Sequence, residues 1–265
     1  MLDLRWEGNG DGVGTGLISK ERARRFLHTI DRKAVDRYEG YFNAIVPTST
    51  EDIFRRALFA FASVHTTWQL NCKMYEMLAP LDWIGNPKLL YMRIGESGAG
   101  LHNNRFKYIL DFTKKYWATP EWYKKQSYEN WQGYRDRLVQ AIPGLGLAKA
   151  SFFAELVYFQ HSRTACMDVH MLRLMHDATT GKFSQDRASK AFMNEAERAW
   201  VNLCVNNDVS PVTARWLYWD TIQNKEDSRY WSKVLEKDAT LAFSGQMLLF
   251  PEAELLYSIR LPGAA

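Results

Sequence analysis

Residues 138–173 read LVQAIPGLGLAKASFFAELVYFQHSRTACMDVHMLR, and the fold of the chain turns on how they are read. An apolar helix leads into Ile142-Pro143-Gly144-Leu145-Gly146, and a second helix begins at about Leu147, so the motif occupies about 138–156. The two glycines permit a hairpin too tight for a residue with a Cβ. A helix that starts directly after them presents unpaired backbone N–H groups and a positive dipole end, where a phosphate can sit. Further on, Met167-Asp168-Val169-His170 places an acid among apolar residues near the start of another amphipathic run. Read for structure alone, the same stretch is a helical hairpin followed by an aspartate that caps the next helix.

The composition bounds what such a hairpin can belong to. A chain of 265 residues holds one large domain or two lobes around a shared cleft. A hydrophobic fraction of 46% supplies a core and argues against extensive disorder. The net charge of +4 and pI of about 8.8 fit one basic face rather than a polycation. Aromatic residues make up 14%, enough for a core with some left to stack on bases. Cys72, Cys166 and Cys204 lie far apart with no CxxC, which excludes a zinc ribbon or an iron–sulfur loop and implies reduced thiols. No metal and no cofactor is expected. No apolar run approaches the roughly 18 residues of a membrane span, and no signal pattern opens the chain. A soluble, cytoplasmic protein with no membrane partner is the expectation.

Around the hairpin the periodicity is helical almost throughout, so the fold class is all-α. Residues 1–45 form an N-terminal arm with short arginine-rich helices, 46–235 the main helical domain, and 236–265 a tail whose apolar run Leu241–Phe250 is a candidate lid or strand. Pro47 to Glu51 starts a helix, with Thr48 and Glu51 spaced as a capping box. Its apolar stripe of Phe54, Leu58, Phe61 and Ala62 runs into His65-Thr66-Thr67-Trp68, where adjacent threonines predict a break. Gly95 to Gly100 reads as a loop without a nucleotide-binding fingerprint. A helix then opens at about Leu101-His102-Asn103-Asn104-Arg105. Pro120 to Tyr134 is a polar, aromatic insert. Thr179-Thr180-Gly181 breaks the chain, 188–206 is a helix, and Ser210-Pro211 starts another, whose Trp216 and Trp219 pack back onto the first lobe.

Proline-glycine-apolar-glycine followed by Asp-Val-His resembles the helix-hairpin-helix/aspartate signature of the DNA glycosylase superfamily. The resemblance implies a two-lobed helical fold in which Pro143, Gly144, Leu145, Gly146 and Lys149 contact the backbone of double-stranded DNA. It implies that Asp168 faces the sugar of a flipped, modified base. Residues around the break, namely His65, Thr66, Thr67, Trp68 and Asn71, correspond to those that enter the base pocket or fill the gap in the duplex; buried, hydrogen-bonded core roles are equally open to them. Asn104 and Arg105 stand where the family reaches the substrate, or else serve as helix-start residues. In lyase members a lysine follows the hairpin as amine nucleophile. Here that position is Ala148, and Lys149 lies about 100° further round a helix. A Schiff-base lyase is therefore not expected.

The segments Phe54–Phe61, Ser63–Trp68, Leu101–Arg105 and Gly144–Phe152 together resemble a phage branch of the superfamily, the alpha-glutamyl/putrescinyl thymine pyrophosphorylases, or amino acid:DNA transferases. That likeness implies transfer of an amino acid or other small amine to a phosphorylated or pyrophosphorylated 5-hydroxymethyluracil in phage DNA, in the cytoplasm of the host. Arg56, Arg105 and Lys149 then supply charge to the leaving group, and Asp168, His170 or His65 takes the amine proton. The leading expectation is this transferase. A monofunctional base-excision glycosylase using Asp168 is the alternative, and a non-catalytic DNA-binding protein is the third.

Overall fold

The computed structural model describes residues 18–177 and 188–223. Among them are eleven α-helices and one 3₁₀ turn, Pro120–Tyr123, and no β-strand. The backbone bridge of Ile18 to His176 is isolated. The all-α expectation is met. The chain divides into two compact units, which within the described residues comprise 18–46 with 150–223, and 47–149. The N-terminal helices, set apart as 1–45 on sequence, thus share a unit with the second half of the chain. The arm at 1–17, the break at Thr179-Thr180-Gly181 and the tail with Leu241–Phe250 lie outside the described residues.

In the unit built from 47–149, α3 (Thr50–Ala62) starts at a capping box made by Ser49 and Asp52. This corrects the Thr48/Glu51 pairing. Asp52 still receives the Thr48 amide at 3.0 Å, but it is Ser49 whose hydroxyl accepts the N3 amide. The chain breaks as expected after Ala62: His65 takes a left-handed φ of 46°, and Thr67 caps α4 (Trp68–Leu78). Helix α5 (Pro87–Ser97) carries Gly95 and Glu96, where the glycines of the sequence point to a loop. Its stop is Gly98, left-handed at φ 69°. Helix α6 (His102–Ala118) and α7 (Trp131–Ala141) complete this unit. Phe54 and Phe112 stack in its core, centroids 5.6 Å apart and nearly parallel, and Tyr116 meets both at a tilt.

Helix α8 (Leu147–Tyr158) leaves the hairpin and continues into the other unit. There α1 (Glu21–His28), α9 (Val169–Met175) and α10 (Lys190–Asn206) enclose a core of Leu27, Met171, Met175 and Trp200. Helix α2 (Arg32–Ala44) packs on α11 (Pro211–Gln223), with Phe42 edge-on to Trp216 at 5.2 Å and stacked on Phe159 at 4.7 Å. The Tyr38 hydroxyl donates to Asp220 across the same pair of helices.

Candidate functional site

The hairpin closes through two short-range bonds, Ile142 N–H to Leu138 O at 2.9 Å and Leu145 N–H to Ile142 O at 3.1 Å. Ile142 and Leu145 are the buried fasteners of the turn; Pro143 and Gly144 are exposed between them, and Gly146 is exposed just after. Leu145 therefore anchors the hairpin, and its side chain is not on the exposed surface where a DNA contact was expected. Gly144 has φ 92°, and a Cβ there would come within 2.4 Å of the Tyr108 ring. Gly146 is different. A Cβ would meet nothing within 4 Å, so the fold does not require its glycine, and the start of α8 is left open to an approaching group. Ala148 and Lys149 follow in the first turn, both half-buried.

Asp168 is the N-cap of α9. Its Oδ1 accepts the His170 and Met171 amides at 2.9 and 3.0 Å. Oδ2 accepts no bond among the described residues, and the residue is half-buried. Among the described residues capping therefore engages Oδ1 alone. His170, half-buried next to it, sets its ring edge-on to Trp219 at 5.1 Å.

The segment 162–167 that leads into Asp168 is almost wholly buried and has no helical or strand hydrogen bonding except at its edges. Its amides go to side chains. Ala165 N–H donates to Glu197 Oε1 at 2.9 Å, an oxygen that also receives the Ser151 hydroxyl at 2.8 Å. Cys166 N–H donates to Glu155 Oε1 at 2.7 Å. Arg215 grips the same carboxylate, with Nε 2.8 and 2.9 Å from its two oxygens and Nη2 2.5 Å from Oε2. Burial raises the Glu155 carboxyl above its ordinary value, opposed by Arg215 and the Cys166 amide and reinforced by Asp168. For Arg215, burial acts downward, and the charge and bonds of Glu155 outweigh it. None of Glu155, Glu197 and Arg215 was singled out from the sequence. The available signal was an acid inside the apolar run Phe152–Val157, which needs a buried partner.

Other expected site residues divide by burial. Arg105, only 3% exposed, donates to the carbonyls of Phe61, Ala62, Val64, Ala99 and Gly100, with Nη1–Phe61 at 2.6 Å and Nε–Gly100 at 2.9 Å. It caps α3 and ties down the turns on both sides, so its donors are used within the fold and not offered to a substrate. Arg56 and Asn71 are buried, at 5% and 2% exposure, because each falls on the inner face of its helix. Neither is placed to meet a ligand at the surface. Trp68 is half-buried, edge-on to Phe59 at 5.7 Å. His65, Thr67 and Asn104 are exposed and Thr66 is half-buried; Thr67 uses its hydroxyl to cap α4 at Leu70 N–H. Cys72, Cys166 and Cys204 are all buried. Among the described residues no cluster of three or more His, Cys, Asp or Glu side chains is arranged to hold a metal, and no helix is long and apolar enough to cross a membrane.

A protein-family model described as 8-oxoguanine DNA glycosylase matches residues 35–209, which take in the hairpin and Asp168. No curated protein sequence matches the chain. Among solved structures, the chain is similar to the 8-oxoguanine DNA glycosylase of Thermotoga maritima, at a TM-score of 0.61 and 19% identity, covering 79% of this chain and 100% of that one. It is also similar to the Methanocaldococcus jannaschii 8-oxoguanine glycosylase/lyase in complex with a 15mer DNA containing 8-oxoguanine, at 0.62 and 17% identity, covering 77% and 97%. A second structure of the M. jannaschii enzyme gives 0.61 and 17% identity, covering 77% and 94%. These likenesses concern the fold.

Proposed function

The chain belongs to the 8-oxoguanine DNA glycosylase family of helix-hairpin-helix proteins, and from that membership we propose that it excises an oxidised purine from double-stranded DNA without lyase activity. In this reading the exposed hairpin holds the DNA backbone by its amides while the target base leaves the stack. Asp168 carries the chemistry. Its Oδ2 stabilises positive charge that develops at the sugar C1′ as the bond to the base breaks, and it orients the water that completes hydrolysis. The observation that supports this most directly is the division of labour in that carboxylate, with Oδ1 capping α9 and Oδ2 unbonded among the described residues. Ala148 at the position of the nucleophilic lysine is the reason for leaving out the lyase step. The reaction needs no cofactor, and its setting is the cytoplasm.

Ala148 also favours a second reading, because any reaction that leaves the glycosidic bond intact dispenses with the amine nucleophile. That reading is the transfer of a small amine to a phosphorylated 5-hydroxymethyluracil in DNA. Family membership supports excision better, and Arg105, whose donors serve backbone carbonyls, is lost as one of the cations the transfer calls for.

One experiment separates them. Duplexes carrying either 8-oxoguanine or pyrophosphorylated 5-hydroxymethyluracil are incubated with the protein and mixed amino acids, and bases and nucleosides are read by mass spectrometry. Free base is the expected product; a nucleoside of increased mass indicates transfer, and no product from either duplex sinks both. Borohydride should trap no covalent adduct. Asp168→Asn should keep the melting temperature, since Asn caps about as well as Asp, while turnover falls by roughly 10²–10⁴-fold. Full activity in that variant would remove Asp168 from the chemistry.

A further inference from the structure

We infer that Glu197 and Glu155 are positioning residues that fix the place of Asp168 through the backbone of residues 162–168, an inference that rests on the reading of Asp168 as the reacting carboxylate. The segment before Asp168 is irregular and buried: Ser162, Thr164, Ala165, Cys166 and Met167 are each at most 3% exposed. Buried backbone amides must find acceptors. Here two consecutive ones are met by two separate carboxylates, Ala165 by Glu197 of α10 and Cys166 by Glu155 of α8. Each carboxylate is itself held. Ser151 donates to Glu197, and Arg215 of α11 fixes the plane of Glu155 by three bonds.

The path from these anchors to the reacting oxygen is short. Asp168 N–H donates back to Cys166 O at 2.8 Å, and Oδ1 is committed to the His170 and Met171 amides. With Ala165 and Cys166 pinned and Oδ1 occupied, the direction of Oδ2 has little freedom left. Stability alone is a weak reason for this arrangement, because buried ion pairs replaced by apolar residues of similar volume often leave a protein as stable or more so. Direction is what the charged groups add. Each carboxylate aims at one amide, and a displacement of about 1 Å at a catalytic group costs on the order of 100-fold in rate.

The test uses the full chain with Glu197→Met, which removes the acceptor at similar volume, and Glu197→Gln, which keeps an oxygen in its place. On duplex DNA containing 8-oxoguanine, single-turnover excision by Glu197→Met should fall on the order of 100-fold with DNA affinity by anisotropy little changed. Glu197→Gln should recover most of the loss. Hydrogen exchange gives a readout independent of activity: the His170 and Met171 amides should exchange roughly tenfold faster in Glu197→Met than in the parent. Unchanged exchange at those amides, or faster exchange with an unchanged rate, overturns the proposal. A parent protein that excises nothing refutes the proposed function, while the exchange measurement still decides whether Glu197 holds Asp168. If Glu197→Met does not fold, the charge-neutral double variant Glu155→Met/Arg215→Met removes the acceptor for Cys166 and takes the same measurements. Loss of folding in both assigns these carboxylates to stability and overturns the inference.

Discussion

Gly144 and Gly146 stand two positions apart and are glycine for different reasons. Gly144 sits at φ 92°, and an added Cβ would press on the Tyr108 ring at 2.4 and 2.9 Å, near the rigid root of that side chain. Both the backbone strain and the contact act against any larger residue. Gly144→Ala should therefore lower stability by about 2 kcal/mol or more, read as a fall in the urea midpoint. Gly146 has open space around it and an unstrained φ, so Gly146→Asp should melt like the parent. Its cost should appear in DNA affinity, where a new carboxylate faces the phosphate backbone. A Gly146→Asp protein that binds DNA as tightly as the parent would take the hairpin out of the interface. Equal melting of Gly144→Ala and parent would mean that the turn relaxes around Tyr108.

Helix α8 shows how one element serves two tasks along its length. Its first turn follows the hairpin with half-buried Ala148 and Lys149, and its middle, Ala150–Val157, is buried throughout. Within that apolar stretch Glu155 has no side-chain exposure and meets Arg215, 4% exposed. Removing one charge leaves the other buried without its counter-ion. Glu155→Gln should thus cost about 3–5 kcal/mol of folding stability, whereas Glu155→Met with Arg215→Met should recover most of it. Denaturant midpoints of the two variants against the parent check this. A cost below about 1 kcal/mol in Glu155→Gln, the range of exposed ion pairs, would show that water reaches the pair.

At the scale of the whole molecule, the first described helices are structural partners of the last. Helix α2 lays Phe42 against Phe159 and Trp216, and α1 brings Phe26 to within 6.4 Å of Trp200. Removal of residues 1–46 would uncover these apolar faces. The truncated chain should lose near-ultraviolet circular dichroism and bind a hydrophobic dye, as a unit without its packing does. A sharp, native-like melting of the truncated chain would instead make 18–46 a separable arm, as the sequence division at 45/46 had it.

Element type and most helix ends were legible in the residues because the causes are local. The apolar stripe of α3, the break before Thr67, Pro211 at the head of α11, the Pro143–Gly146 turn and the cap at Asp168 all act within a few residues of where they are written. Local competition accounts for the near misses. Ser49 and Asp52 outcompeted Thr48 and Glu51 for the same cap, and Gly95 lay in a helix that ended only where Gly98 adopted a left-handed φ. The roles of charged residues were a different matter. Arg105 stands where a substrate ligand is expected, yet its donors serve carbonyls up to 44 positions away, and Glu155 takes its role from Arg215, 60 positions on. A sequence fixes periodicity and caps through neighbours in the chain. Whether a charge faces water, a ligand or another buried charge depends on which distant segments meet it, and only tertiary packing decides that.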